Sequence, residues 1–310
     1  MNKQEKIQQA IIDQLKHESQ AELARKIGKG KVSESTLIQI KTGNWTHISD
    51  KMWNKLAAYF RIPTTEVEAW PVFVTPNYQA IVDLCADVQE NHKMMAISGF
   101  TGAGKTTALS EYARKNGDVY YVLCDVTMTQ KEFLAAIARS MGLALDTSIN
   151  GYIQAITQKV AQVECPLLIL DDAGKLFEKQ GGKNFSLIQV IYDRTPGRLG
   201  ILMAGTETLK LKMDEAVRKS KMGFGELFGR IQYWLPLRRP SRTSIIIIAQ
   251  HHGITSSDAL DYLCVAVKNY RQLYNYITNA RRASTKLGAD LITHDLLAGL
   301  HVGDQHFLAA

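Results

Sequence analysis

The sequence is poor in the features that mark secreted, membrane-spanning and disordered proteins. It has 4 cysteines and 7 prolines in 310 residues, and no two cysteines have the CxxC spacing of a metal or redox motif. The longest purely aliphatic run, Ile245 to Ala249, is far shorter than the ~20 residues that span a membrane. The N-terminus has no apolar signal core. These absences argue against a disulfide scaffold and a membrane protein, and they predict a cytoplasmic protein with reduced thiols.

Charge of one sign is not concentrated in any segment. Lys plus Arg number 37 and Asp plus Glu 30, which gives a net charge of +7, and the small excess is spread along the whole chain. Such an excess permits a nucleic-acid partner without requiring one. With 45% hydrophobic and 22% charged residues, the composition is that of a globular protein, and the length suggests about two domains.

Three prolines, at positions 63, 71 and 76, separate a helical N-terminal region from the remainder. Beyond them, helical stretches alternate with short apolar segments, which we predict to be strands at 94–98, 119–124, 167–171, 200–204 and 231–235. Buried strands separated by helices predict an α/β fold with a five-stranded parallel sheet. We therefore predict a helical domain at 1–70, a linker at 71–77, an α/β core at 78–238 and a small helical lid domain at 239–310.

The segment GFTGAGKT at 99–106 fits the phosphate-loop pattern G-x-x-x-x-G-K-[ST] at every fixed position. It follows one predicted strand and opens a predicted helix, which is the context that this loop requires. Its glycines let the backbone wrap so that N–H groups converge on phosphate oxygens. The predicted nucleotide-binding residues are Gly99, Thr101, Gly102, Ala103, Gly104, Lys105, Thr106 and Thr107.

Two carboxylates complete this predicted site. Asp171 ends the apolar run LLILD, where its carboxylate would bind Mg²⁺ together with the Thr106 hydroxyl. Asp172 follows directly and is placed to orient an attacking water. Lys105 would reach the β- and γ-phosphates of the nucleotide.

With the five strands, these motifs resemble the AAA+ ATPases over about residues 78–305. The resemblance implies ATP and Mg²⁺ as cofactors, a sheet order of 5-1-4-3-2 and a helical lid after the core. The family usually has Glu after the metal-binding Asp, whereas this chain has Asp172, which is one methylene shorter. A retracted carboxylate positions water less well, so we expect slow, DNA-stimulated ATP hydrolysis.

The same resemblance implies three further catalytic residues. Thr206 occupies the place of a polar sensor for the γ-phosphate, although a helix-capping threonine would fit there too. Arg230 is the candidate arginine finger for a neighbouring subunit, with an ordinary surface arginine as the alternative. Arg271, in the lid, resembles a second sensor of the γ-phosphate.

Residues 20–45 resemble a helix-turn-helix module of the phage-repressor type. Ser33 is a suitable N-cap for its second helix, on which Leu37 and Ile40 face inward. The outward residues would enter a major groove; they are Ser35, Thr36, Gln39 and Lys41. A helical protein-docking module is the alternative interpretation.

Two polar segments of the core are candidates for tracking a DNA backbone, because they combine short polar and basic side chains. One follows the second strand and contains Thr129, Gln130 and Lys131. The other follows Asp172 and contains Lys175, Lys179 and Lys183. For any single lysine, a solvated position without DNA contact remains the alternative.

The order of these modules resembles the family of ATP-dependent target-DNA activators of transposition, such as the B protein of phage Mu. The resemblance implies a homo-oligomer, a helical filament or ring, that forms on double-stranded DNA and stimulates a transposase. Two alternatives stay open: a helicase loader or replication initiator of the AAA+ type, and an ATP-gated, repressor-like transcription regulator.

Overall fold

The computed structural model divides the chain into two compact units, Met1–Pro71 and Val72–Ala310. It describes residues 3–16, 18–28, 32–46, 48–60, 62, 70–144, 146, 148–180, 182–220, 224–287 and 291–307. The side chains at 179, 180 and 301–307 lie outside this description. No helix in the described ranges is long and apolar enough to cross a membrane.

The described part of the first unit contains four helices, each placed by an apolar stripe and, for the last three, by a serine cap. They are α1 (Lys3–Gln14), α2 (Gln20–Ile27), α3 (Glu34–Lys41) and α4 (Asp50–Tyr59). The Ser19 hydroxyl accepts the Glu22 N–H and the Glu22 carboxylate accepts the Ser19 N–H, which is a complete capping box. Ile7, Leu37 and Leu56 have no exposed surface. Burial of such side chains, at about 1.5–3 kcal/mol each, holds these short helices together.

The second unit is built on a five-stranded parallel sheet. Its strands are β1 (Met94–Ser98), β2 (Val119–Leu123), β3 (Leu167–Asp171), β4 (Gly200–Gly205) and β5 (Tyr233–Pro236). Their spatial order is β2-β3-β4-β1-β5, which confirms the predicted order. The last strand starts two residues later than the sequence suggests, because the Ile231 N–H donates to Phe228 O in a turn that follows the preceding helix.

Helices cover both faces of the sheet, so its central strands are largely apolar before their carboxyl ends. Every residue of β3 and β4 is buried. The side chains of Leu168 and Leu170 join one hydrophobic cluster, and those of Leu167 and Ile169 join another. This alternation leaves the carboxyl ends of the strands as the polar edge of the sheet.

The helices of the second unit follow in chain order. Around the sheet lie α5 (Pro76–Glu90), α6 (Lys105–Lys115), α7 (Gln130–Ser140), α8 (Ile149–Ala161), a 3₁₀ turn (Ala173–Lys175), α9 (Leu176–Gln180), α10 (Lys183–Asp193), α11 (Glu207–Arg218) and α12 (Phe224–Arg230). After β5 come α13 (Arg242–His251), α14 (Ser257–Ala266), α15 (Tyr270–Leu287) and α16 (His294–Phe307). These last four helices occupy the region that the sequence predicts to be a lid.

Candidate active site

The loop at 99–106 joins the end of β1 to the start of α6. Gly102 and Gly104 have φ angles of +80° and +91°, a left-handed backbone that costs other residues about 1–2 kcal/mol. Gly104 is the N-cap residue of α6. Because glycine has no side chain, this residue makes no side-chain capping hydrogen bond. The first N–H groups of α6 therefore face the loop without the side-chain cap that serines give α2 and α3.

Two of the loop glycines also allow close contact with other segments. A Cβ atom at Gly99 would lie 2.8 Å from Leu237 Cβ, just beyond β5. A Cβ atom at Gly102 would lie 2.8 Å from Asn269 Oδ1 and 3.1 Å from Arg271 Cβ. The glycine pattern thus serves packing against the lid as well as the turn itself.

Lys105 is buried inside this loop, with 7% of its surface exposed. Its Nζ donates to Gly99 O at 2.7 Å and to Phe100 O at 3.0 Å. Burial lowers the pKa of Lys105, and the charges of Asp171 and Asp172 act in the opposite direction. The ammonium group is therefore held within the loop and close to two carboxylates.

Asp171 has no exposed surface. Its Oδ1 accepts the Asp172 N–H at 2.9 Å, and its Oδ2 accepts the Tyr121 hydroxyl at 2.8 Å. The short distances are those of good hydrogen bonds to a carboxylate. Both oxygens are thus fixed at the carboxyl end of the sheet, two strands from the phosphate loop in the observed order.

Asp172 has a left-handed backbone, with φ +53°, which Asp tolerates better than most residues. Its Oδ2 lies 2.9 Å from Lys175 Nζ, and this hydrogen bond raises the pKa of Lys175. The structure thereby pairs a residue that the sequence analysis assigns to water positioning with one that it assigns to DNA contact.

Thr206 lies where β4 leaves the sheet, beside the start of the phosphate loop. The Gly99 N–H donates to Gly205 O at 3.2 Å, which brings the end of β4 next to that loop. Thr206 occupies the N-cap position of α11, yet its side chain makes no capping hydrogen bond there. Its hydroxyl lies 2.5 Å from the Thr208 hydroxyl instead, and its role as a sensor stays a prediction.

The remaining predicted loop residues divide by exposure. Thr101, Thr106 and Thr107 are exposed, whereas Ala103 is buried. The Ala103 carbonyl accepts Asn77 Nδ2 at 3.3 Å. The three threonines thus belong to the exposed part of the loop.

Asn77 is a site residue that the sequence analysis missed. This buried amide donates to Arg238 O at 2.8 Å and accepts the Arg238 N–H at 3.2 Å, while also bonding the phosphate loop through Ala103. It therefore joins the loop to the segment that leads into α13. Thr75 and Pro76 signal the start of a helix, but nothing in the local pattern distinguishes Asn77.

The lid contributes Arg271, in the first turn of α15. The preceding residue, Tyr270, donates its N–H to Gly102 O at 3.0 Å, so the start of α15 lies directly on the phosphate loop. The structure thus brings Arg271 close to the loop, and its role as a sensor stays a prediction.

Arg230 ends α12 and is paired within its own subunit. Its Nε lies 2.8 Å from Asp193 Oδ1, and its Nη2 lies 3.0 Å from Asp193 Oδ2. Its Nη1 donates to Glu226 O at 2.8 Å. The guanidinium is partly exposed, with 31% of the side-chain surface accessible.

The two core segments expected to contact DNA lie next to each other. Buried Asn184, which follows Lys183, donates its Nδ2 to Met128 O at 3.1 Å, directly before Thr129. Thr129 itself caps α7 through the Glu132 N–H, Gln130 is half-buried, and Lys131 and Lys183 are exposed. The side chain of Lys179 lies outside the described residues.

In the first unit, α3 carries the other predicted DNA-contact residues. Ser33 caps this helix as predicted, accepting the Thr36 N–H at 3.1 Å, and its hydroxyl also bonds those of Ser35 and Thr36. Ser35 and Lys41 are exposed, whereas Thr36 and Gln39 are half-buried.

Comparison with known proteins shows what this chain is similar to. Residues 88–213 match the model of an AAA domain. The DNA transposition protein B of the Mu-like prophage FluMu of Haemophilus influenzae is 23% identical over 249 residues, which cover 78% of this chain and 83% of that protein. Among solved structures, the Walker-type ATPase paby2304 of Pyrococcus abyssi shares the fold, with a TM-score of 0.55 at 11% identity over 77% of this chain and 76% of its own.

The matched AAA domain contains the phosphate loop and Asp171, and the order of the five strands is the one that the AAA+ resemblance implies. Together with the similarity to a transposition protein B, these findings support an ATPase that contains an AAA domain and is similar to the Mu B type of transposition protein.

Proposed function

We propose that this ATPase binds double-stranded DNA in an ATP-dependent and largely sequence-independent manner, assembles on it as a filament or ring, and delivers it to a transposase that it stimulates. The observation that carries this proposal is the length of the similarity to the FluMu protein. It covers 249 residues, whereas the AAA domain match spans only residues 88–213. The similarity therefore extends well beyond the residues that match the AAA domain.

The donor groups of the phosphate loop and of β3 fit a magnesium nucleotide. The glycine turns, the uncapped start of α6 and the buried ammonium of Lys105 suit the phosphates of ATP. Thr106 and Asp171 are hard oxygen donors of the kind that Mg²⁺ prefers, and we assign the ion to them. When bound, Mg²⁺ would neutralise charge on the phosphate oxygens.

The other residues act by position and charge. We propose that Lys105 and Arg271 hold the γ-phosphate from the loop and from the lid, and that Thr206 senses it with its hydroxyl. Asp172 orients the attacking water. Its ion pair with Lys175 competes with this role, because the same carboxylate binds the ammonium group. Slow basal hydrolysis follows from that pairing and from the short Asp side chain.

We propose that Arg230 completes the site of a neighbouring subunit, so that oligomers hydrolyse ATP and single subunits do not. The partly exposed position of its guanidinium supports this role. To reach a phosphate, Arg230 must exchange Asp193 for the nucleotide, and the planar guanidinium suits both partners. ATP therefore favours assembly by binding the assembled state preferentially.

DNA would contact the assembly through Lys131, Lys175 and Lys183, with Thr129, Gln130 and Lys179 beside them. A single subunit offers few phosphate contacts, so its affinity is low, whereas an array repeats the same lysines along the backbone. Ser35, Thr36, Gln39 and Lys41 of the first unit supply a second DNA contact in this proposal.

Fluorescence anisotropy with a labelled random-sequence duplex tests the proposal. We expect binding with a non-hydrolysable ATP analogue, weak binding with ADP, and no analogue-dependent binding by Lys105→Ala. A marked preference for single-stranded DNA would instead favour a helicase loader. Binding restricted to one duplex sequence would favour an ATP-gated transcription regulator.

A further inference from the structure

The Tyr121 hydroxyl donates a hydrogen bond of 2.8 Å to Asp171 Oδ2. The two residues are 50 positions apart in the chain and lie on the adjacent parallel strands β2 and β3. The site described above gives roles to Asp171 and to the loop, but none to this tyrosine.

The register of the two strands explains why a tyrosine reaches Asp171. Tyr121 is opposite Ile169, and Leu123 is opposite Asp171, so Tyr121 lies one side-chain step before Asp171 on the same face of the sheet. This diagonal separation is within reach of a long aromatic side chain. A serine or threonine at position 121 would be too short to make the contact.

The neighbouring tyrosine on β2 shows that the contact depends on strand position. Tyr120 points to the opposite face of the sheet, where it joins the cluster that contains Leu168 and Leu170. Tyr121 packs against the cluster that contains Ile169, and its hydroxyl donates to Asp171. The ring is thus fixed by apolar packing, and the hydroxyl is directed by the register.

Asp171 needs such support because its carboxylate is fully buried. The Asp172 N–H holds Oδ1 and Tyr121 holds Oδ2, so the side chain has a single defined orientation. Without Tyr121, the hydrogen bond from the Asp172 N–H would remain, but Oδ2 would lose its buried donor. Hydrogen bonds of this kind to a metal-binding carboxylate commonly tune metal affinity.

We propose that Tyr121 is a positioning residue for the magnesium ion of the bound nucleotide, acting through the orientation that its hydroxyl gives to Asp171. This inference rests on the proposed magnesium role of Asp171. It assigns to Tyr121 no contact with ATP and no part in proton transfer.

Tyr121→Phe removes the hydroxyl and keeps the ring. A magnesium titration of the binding of a fluorescent ATP analogue, made on the full chain, measures its effect without relying on turnover. We expect Tyr121→Phe to need about 10- to 100-fold more Mg²⁺ for half-saturation, while binding of the analogue in the absence of metal stays as in the native protein.

Tyr112→Phe is the matched control. Tyr112 belongs to the same apolar cluster and donates its hydroxyl to Gln89 Oε1, also at 2.8 Å, away from Asp171. Both variants lose one tyrosine hydrogen bond of equal length, but only Tyr121→Phe should shift the magnesium titration. Equal shifts in the two variants, or no shift in Tyr121→Phe, would overturn the inference.

Asp171→Asn separates failure of this inference from failure of the metal assignment. A large magnesium shift in Asp171→Asn with none in Tyr121→Phe overturns the role of Tyr121 alone. An Asp171→Asn variant with native magnesium dependence overturns the metal assignment and the role of Tyr121 together.

Discussion

Arg230 and Asp193 form a two-pronged ion pair, with Nε 2.8 Å from Oδ1 and Nη2 3.0 Å from Oδ2. Both side chains are partly exposed, at 31% and 41%, and such pairs contribute about 0–1 kcal/mol. The pair is therefore weak enough for a neighbouring nucleotide to displace Asp193 from Arg230. It orders the arginine in the separate subunit without preventing a role in the assembled one.

The first prediction concerns this exchange. Asp193→Asn should raise ATPase activity in DNA-bound oligomers by up to about five-fold, because the lost ion pair is worth about 1 kcal/mol at most.

Arg230→Ala and Lys105→Ala should each be inactive alone. A mixture of the two should regain activity, since one supplies the nucleotide site and the other supplies the arginine. Absence of recovery at every mixing ratio would exclude the role of Arg230 in a neighbouring site.

A second prediction concerns the length of the side chain at position 172. Asp172→Glu should increase turnover, because the longer carboxylate reaches further toward a water, whereas Asp172→Asn should lower it by about 100-fold or more. Glu adopts the φ of +53° at this position less readily than Asp. A small decrease in thermal stability should therefore accompany the increase in turnover. Steady-state ATPase assays and thermal unfolding measure the two effects, and complete loss of activity in Asp172→Glu would contradict the assignment.

The ion pair between Asp172 and Lys175 leads to a third prediction. Lys175→Gln should raise ATPase activity without DNA, by up to about five-fold for an exposed pair, and reduce the further stimulation by DNA. Lys115→Gln is the control, because Lys115 pairs with Glu111 at the same distance of 2.9 Å, at the far end of α6. If both variants have native basal activity, Lys175 does not restrain Asp172.

Gly102 supplies the fourth prediction. Gly102→Ala places a Cβ in a backbone with φ +80° and within 2.8 Å of Asn269 Oδ1. It should lose about 1–2 kcal/mol of stability from the backbone alone, and ATP should bind more weakly because the start of α15 must move. Gly117→Ala, at a site with nothing within 4 Å of the added atom, should leave nucleotide binding unchanged. Calorimetric titration with ATP measures the affinity of both variants. Equal affinities of Gly102→Ala and Gly117→Ala for ATP would contradict this prediction.

The sequence was sufficient for features that depend on local spacing or on a family pattern. The phosphate loop could be recognised from the sequence, because its glycines, Lys105 and Thr106 are close in the chain and each has a known role in binding phosphate or Mg²⁺. The Ser33 cap was equally local. The order of the five strands came from the resemblance to AAA+ ATPases, since strand spacing alone does not determine which strands are neighbours.

What the sequence did not reveal are contacts between distant residues. Tyr121 and Asp171 are 50 residues apart, Asn77 and Arg238 are 161 apart, and Arg230 and Asp193 are 37 apart. Each contact depends on strand register or helix packing, which no local pattern of residue types encodes. Asp172 and Lys175 are three residues apart, so their pairing could have been proposed from the sequence. The left-handed backbone at Asp172, which accompanies this contact, could not.

The central claim is that ATP switches this protein from weakly binding subunits to an array on DNA. Electron microscopy of the full chain with random-sequence duplex DNA and a non-hydrolysable ATP analogue tests it most directly. We predict continuous protein-coated DNA with the analogue and bare DNA with ADP or with Lys105→Ala. Isolated particles on the DNA, or coating that is equally extensive without nucleotide, would contradict the account.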